Sequence, residues 1–329
     1  MTSGPPRAAQ VRAAVDRAWA MAVRGDHRPA AHALRQVLLV GRADLGVAAR
    51  VRVQMALAQL WRRDGQYRQA GLLLRLTLPT AETADGPDSL TVAHLCNEWA
   101  VLGKYVGDFA HAETLYHRAL AIYQATYGPD HDSIATICHN LGGLAHARGD
   151  HAAGEPWARR AVEIRTRIHG ALHPTVAADA AAWAALLDGT GRHDDAATVL
   201  TQARAVLEAA YGPDHYEVAS TVHNLAALTH RRGDLPAAEA GYTRALTVKQ
   251  RVLGPDHPEC ALTLVNLAAV HRRQGHHRQS RACYARAIAI LEPAVAATHP
   301  ALVLARRCQA ALLATGDQTT QPDETPSPP

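Results

Sequence analysis

Twenty of the 329 residues are histidines and only six are serines, so imidazole is the side chain best placed to do chemistry. A neutral ring can ligate a metal or act as a general base. Five of the histidines, His131, His173, His215, His257 and His299, form a ladder with a constant 42-residue period. Rungs separated by two packed helices lie roughly 20 Å apart and cannot share an ion. Their surroundings, Asp before the ring and often Pro after it, read instead as helix initiation, with Asp214 the natural N-cap of its helix. His276-His277 is a turn pair with no third ligand nearby in sequence, so no metal site is expected. No HExxH, GxSxG or phosphate-loop motif occurs, and no serine has a suggestive context. A nucleophile, a base and an orienting group are not found together. Catalysis and a cofactor are therefore not expected.

A second set of residues suits recognition better than reaction. Asn140, Asn224 and Asn266 fall on one position of the same period. Asparagine is a poor interior helix former, so its recurrence needs a reason. Its amide offers both a donor and an acceptor, which satisfies an adjacent helix or a bound peptide group equally well. Those two readings compete.

The elements that position these residues follow from the period. Gly-Pro-Asp corners at Gly86, Gly128, Gly212 and Gly254, with Gly170-Ala171-Leu172-His173 filling the gap, mark one series of turns. Gly65, Gly107, Gly149, Gly191, Gly233 and Gly275 mark a second. Between the turns, apolar residues such as Val218, Val222, Leu225 and Ala226 recur at spacings of three and four, the signature of a helix buried on one side. Each period is thus a helical hairpin. Small residues at Ala58, Ala100, Gly142, Ala184, Ala226 and Ala268, and at Ala119, Ala161, Ala203, Ala245 and Ala287, let neighbouring helices approach closely.

The stretch Val222–Leu246, with Leu225, Ala226, Gly233, Ala238, Tyr242 and Ala245 at its marker positions, resembles a tetratricopeptide repeat. The usual unit has about 34 residues. A unit longer by eight, with the corner Leu253–Pro258, resembles the kinesin-light-chain-like subclass. The resemblance spans roughly Asp44 to Leu313. It implies an all-α, right-handed superhelical solenoid whose first helices line a concave groove. Groove positions by that resemblance are Asn97, His139, Asn140, His223, Asn224, His230, Arg231, Asn266, Arg272 and Arg273, with His94 and His146 alongside. His139 and His223, taken alone, read as packing residues. The Ala-rich helix with Ala177, Ala178, Ala181, Ala182 and Ala185 forms a smooth segment between two polar clusters.

The expected organisation is a disordered start (1–6), a degenerate hairpin (7–43), repeats at 44–85, 86–127, 128–169, 170–211, 212–253 and 254–295, a capping helix (296–315) and a disordered Pro-rich tail (316–329). A net charge of +4 comes from arginines scattered along the chain, with no polybasic tract to argue for nucleic acid. Arg62-Arg63, Arg231-Arg232 and Arg272-Arg273 sit where helices should end and complement their dipoles. The start of the chain lacks the apolar core of a signal peptide. No apolar run spans a bilayer. Five cysteines without a CxxC argue for a reducing, cytoplasmic setting, and the Ala/Arg-rich composition suggests a bacterial, actinomycete source. The expected function is a protein- or peptide-binding scaffold or adaptor. The alternative is a regulatory sensor whose groove takes a peptide or small metabolite and controls a partner. Arg231, Arg272 and Arg273 beside Asn224 and Asn266 favour an acidic peptide or a free C-terminus as ligand.

Overall fold

The structure is a computed structural model that describes residues 7–23, 26–40 and 45–317. It is an all-α, right-handed superhelical solenoid, and no strand occurs among the described residues. Fifteen helices follow in order among those residues. The N-terminal pair is α1 (Arg7–Val23) and α2 (His27–Val40). Six hairpins come next: α3 (Val47–Arg63) with α4 (Tyr67–Asp85), α5 (Leu90–Val106) with α6 (Phe109–Tyr127), and α7 (Asp132–Arg148) with α8 (His151–His169). Then come α9 (Pro174–Gly189) with α10 (His193–Tyr211), α11 (Tyr216–Arg232) with α12 (Leu235–Leu253), and α13 (Pro258–Arg273) with α14 (His277–Leu291). The final helix, α15 (Pro300–Asp317), runs just past the boundary expected for the tail. The expected segment 1–6 and the tail beyond Asp317 lie outside the described residues. No described helix is long and apolar enough to cross a membrane.

The histidine ladder initiates helices, but the capping residue is the histidine and not the aspartate before it. Nδ1 of His131, His173, His215 and His257 accepts the backbone N–H two residues on, at 3.1–3.3 Å. His299 does the same for Ala301 at 3.3 Å. Nδ1 lies as many bonds from the backbone as an aspartate carboxyl oxygen, so a neutral ring substitutes for Asp or Asn at this position. Asp214, expected to cap, instead stands exposed and pairs with Arg251 at 3.0 Å. The second glycine series reverses the chain within each hairpin, and all six have φ between 73° and 89°. Only glycine adopts that left-handed region at little cost.

Packing follows the small-residue series. Ala100, Ala184 and Ala268 on the first helices, and Ala119, Ala161, Ala245 and Ala287 on the second, are fully buried. At Gly142 an added methyl would come within 3.1 Å of Ala158 Cβ, so this crossing has no room for more. Tyr116, Tyr242 and Tyr284 fill equivalent spaces as the largest fully buried side chains. Cys96 and Cys138 are buried core residues, and burial pushes both thiols up to about 11. They pack as small apolar groups.

The accumulated rotation of the hairpins brings the chain back upon itself. The N–H of Ala296 donates to the carbonyl of Val106 at 3.2 Å. Two turn glycines meet the helix starts that arrive from the other end. Gly65 faces His257 and Pro258, and Gly107 faces His299. One turn of the superhelix is therefore closed between the end of α5 and the segment after α14.

Candidate functional site

Closure brings together the inner faces of first helices from the two ends of the turn. Two cavities of about 720 and 500 Å³ lie there and share Tyr67, Tyr105 and Glu259 in their walls. The larger is lined from the early hairpins by Arg62, Arg63, Tyr67 and Tyr105, and from the late ones by His215, Tyr216, Glu217 and Glu259. The smaller adds Lys104, His146, His223 and Asn266 among polar groups, and Leu262 and Val265 among apolar ones. Tyr67 and Tyr105 stack with ring centroids 5.5 Å apart, which gives the interior a rigid aromatic wall.

Charge inside this chamber is unevenly paired. Lys249 lies 3.5 Å from Glu259, both nearly withdrawn from solvent, with side chains 5% and 14% exposed. Burial raises the Glu259 carboxyl, but Lys249, His257 and Lys104 together outweigh it and hold the group below its usual value. Burial, with Glu259 nearby, keeps the phenols of Tyr105 and Tyr216 neutral. Lys104, by contrast, has no carboxylate within ion-pair distance among the described residues. Its ammonium sits 5.1 Å above the Tyr105 ring. Burial lowers its pKa, and Glu259 only partly offsets that. A cation drawn out of water without an ion-pair partner is costly to hold.

The chain's four asparagines divide between tying helices together and facing the chamber. Asn140 Nδ2 donates to Asn97 Oδ1 at 2.8 Å, linking α7 to α5. Asn266 Nδ2 lies 3.0 Å from His223 Nε2, and His223 Nδ1 lies 3.1 Å from Thr263 Oγ1. Burial, then Lys249, drives His223 well below its ordinary pKa. The ring is neutral, so Nε2 accepts from Asn266 and Nδ1–H donates to Thr263. Asn224 Nδ2 reaches only the Ala181 carbonyl, at 3.5 Å, because Ala181 offers no side-chain acceptor.

Of the ten expected groove residues, only His223 and Asn266 line these cavities. Asn97 and Asn140 bind each other. His139 Nδ1 is drawn to within 2.8 Å of Asp179. Arg231 Nε pairs with Asp188 at 2.9 Å, and Arg273 donates to the His230 carbonyl at 2.6 Å. Arg272 is exposed. These arginines stand in the last turns of α11 and α13, where unpaired carbonyls and a neighbouring carboxylate compete for them. Lys104 is inconspicuous in the sequence because its register position carries a different residue from repeat to repeat: Arg62, Lys104, His146, Asp188, His230 and Arg272. That column is constant in polarity and not in identity, and polarity was the signal that could have found it.

The His276-His277 turn has partners in space that the sequence does not place beside it. His276 does have ligating neighbours: Glu239, His271 and His276 each offer an atom within 4.8 Å of the others. They come from two hairpins, so proximity in sequence could not show the cluster.

The family model described as tetratricopeptide repeat matches residues 97–167, 134–209, 175–240 and 217–292, together more than half of the chain. No curated protein matches at a significant level. Among solved structures, kinesin light chain repeats from Podosopora anserina are 21% identical over 64% of this chain and 99% of that one, with a TM-score of 0.52. NprR in complex with its cognate peptide NprX superimposes with a TM-score of 0.70 at 9% identity, over 98% of this chain and 91% of that one. A Rap protein complexed with Competence and Sporulation Factor gives 0.64 at 14% identity, over 95% and 84%.

Proposed function

Since this chain belongs to the tetratricopeptide repeat family, we propose that it is a peptide-binding regulator whose closed superhelical turn encloses a short ligand and passes its occupancy to a partner protein. The observation that carries this reading is the chamber itself. A scaffold for folded partners presents an open groove, whereas here the seam at Val106–Ala296 sets early and late hairpins around two adjoining, partly open cavities. Cavities of this size suit a few residues of extended chain. Fold similarity to NprR, solved with its cognate peptide NprX, and to a Rap protein, solved with Competence and Sporulation Factor, is in keeping with it.

The ligand we assign is an acidic peptide or a free C-terminal segment. Lys104 supplies an unpaired cation for its carboxylate, Asn266 has an amide oxygen left to accept a peptide N–H, and Tyr67 and Tyr105 provide an apolar wall. No catalytic step is assigned. All five cysteines are free, three of them buried, in keeping with a reducing compartment, and we place the protein in the cytoplasm. A second reading, docking of a larger partner, rests on Leu72 and Leu76 of α4, which are 57% and 69% exposed. Two large exposed apolar side chains one helical turn apart offer a small contact surface.

Panning the full chain against random short peptides, each with a free or an amidated C-terminus, tests the proposal. Enrichment of peptides carrying a carboxylate is expected, with loss of that enrichment for Lys104→Ala. Recovery of no peptide, alongside capture of folded partners lost on Leu76→Asp, would replace this reading with the scaffold one.

A further inference from the structure

Two positions of the last hairpin depart from the pattern of the others, and both meet a carboxylate from the hairpin before. His271 on α13 occupies the register position held elsewhere by Trp61, Gly103, Ala145, Leu187 and Thr229. It is 6% exposed, and its Nδ1 is buried with no hydrogen-bond partner. His276 stands where other repeats place Asp108, Asp150 and Asp234 before the second helix. Asp150 and Asp234 cap their helices there, but His276 makes no capping bond. Glu239 reaches the same point from α12 of the preceding hairpin.

We propose that Glu239, His271 and His276 form a binding site for a divalent transition metal, with zinc the best fit, that staples α12 to the α13–α14 turn. Two imidazoles and one carboxylate are a borderline-soft set suited to zinc, with the fourth tetrahedral position left to water. The His271 Nδ1 to Glu239 Oε1 distance of 3.9 Å is too long for a hydrogen bond, so the glutamate does not satisfy the buried ring. Around a tetrahedral zinc with bonds of about 2.1 Å, ligand atoms lie about 3.4 Å apart. The pair is therefore already close to the spacing a shared ion requires. His276 is exposed at the head of α14 and has the freedom to complete the set. Gln274 Nε2 donates to Glu239 Oε2 at 2.8 Å. That leaves Oε1 as the oxygen towards His271, the outer-sphere orientation metal-binding carboxylates need.

The site lies apart from the chamber and does not depend on peptide binding. The test uses the full-length chain without a histidine tag, stripped with a chelator, and titrated with zinc by calorimetry and with cobalt by visible absorption. The wild type is expected to take up one tight equivalent of zinc, to gain melting temperature with it, and to show the intense cobalt bands of a tetrahedral site. Glu239→Gln keeps the shape of the side chain, and His271→Ala introduces the residue that Ala145 already places at this position. Each should weaken the tight site at least tenfold and abolish the cobalt bands while helicity stays unchanged. A wild type without a tight equivalent overturns the proposal. So does a tight equivalent that survives in Glu239→Gln, which would locate it among the other histidines.

Discussion

Adjacent first helices are joined differently in the Ala-rich repeat and in the repeats on either side. At α5–α7 and α11–α13 the junction is made by neutral groups, Asn140 with Asn97 and Asn266 with His223. At α7–α9 the corresponding position is Ala182, and no amide is available. There Asp179, 1% exposed, accepts two bonds from Arg165 at 3.0 and 3.1 Å and draws in His139 at 2.8 Å. Arg165 also donates to Thr136 Oγ1 on α7 at 2.6 Å. The same geometric task is met by a weak neutral contact in one place and by a buried ionic network in another. A neutral tie leaves spare hydrogen-bonding capacity that a ligand can use. In the ionic one Asp179 is committed to Arg165.

The largest expected effect follows from breaking the ionic junction. Asp179→Ala leaves the mostly buried Arg165 guanidinium only Thr136 and the more exposed Asp132, 3.7 Å from its Nε, and should destabilise the protein by about 3 kcal/mol, read as a shift of the urea midpoint. A loss of under about 1 kcal/mol, the scale of a single neutral hydrogen bond, would mean water pairs the arginine and the junction is no stronger than its neighbours. Asn140→Ala, at the neutral junction, should cost about 1 kcal/mol. A comparable cost is expected from His215→Ala, which removes a helix N-cap, with His215→Asn close to neutral because an amide can cap in its place. If His215→Asn is as damaging as alanine, the ring is held for another reason.

Acid sensitivity separates the junctions more finely. Burial lowers the pKa of His223, His257 and His299 below the ordinary 6.5. The unfolded chain therefore binds protons that the folded one refuses, so stability is full above about pH 6.5 and falls as the pH drops through that value. A fully depressed histidine contributes at most ~0.7 kcal/mol of the loss between about pH 7 and 6. His223→Gln should remove that share of the slope at the α11–α13 junction. A slope unchanged in the variant would show that His223 titrates normally.

The period, both turn series, the alanine seams and the all-helical solenoid were legible in the sequence because each is a local rule repeated from hairpin to hairpin. The capping role of the histidine corner was legible as helix initiation, though the ring rather than Asp214 makes the bond. Closure was not legible. It arises from a small rotation per hairpin summed from Val106 round to Ala296, and no single residue encodes it. That sum decides which polar side chains end up inside, so Glu259, and Lys104 within its polar column, do not stand out beside the more conspicuous arginine pairs. The same holds for Glu239, His271 and His276, which only folding brings together.

The central claim is that the enclosed chamber reads a ligand carboxylate through Lys104. A double-mutant cycle on a peptide recovered by panning tests it most directly, comparing the carboxylate peptide with its amidated or Asn/Gln-substituted counterpart on wild type and on Lys104→Ala. Neutralising the peptide should weaken binding to the wild type at least tenfold, about 1.4 kcal/mol, and leave binding to Lys104→Ala unchanged. Equal losses on both proteins would place the carboxylate elsewhere and contradict the account.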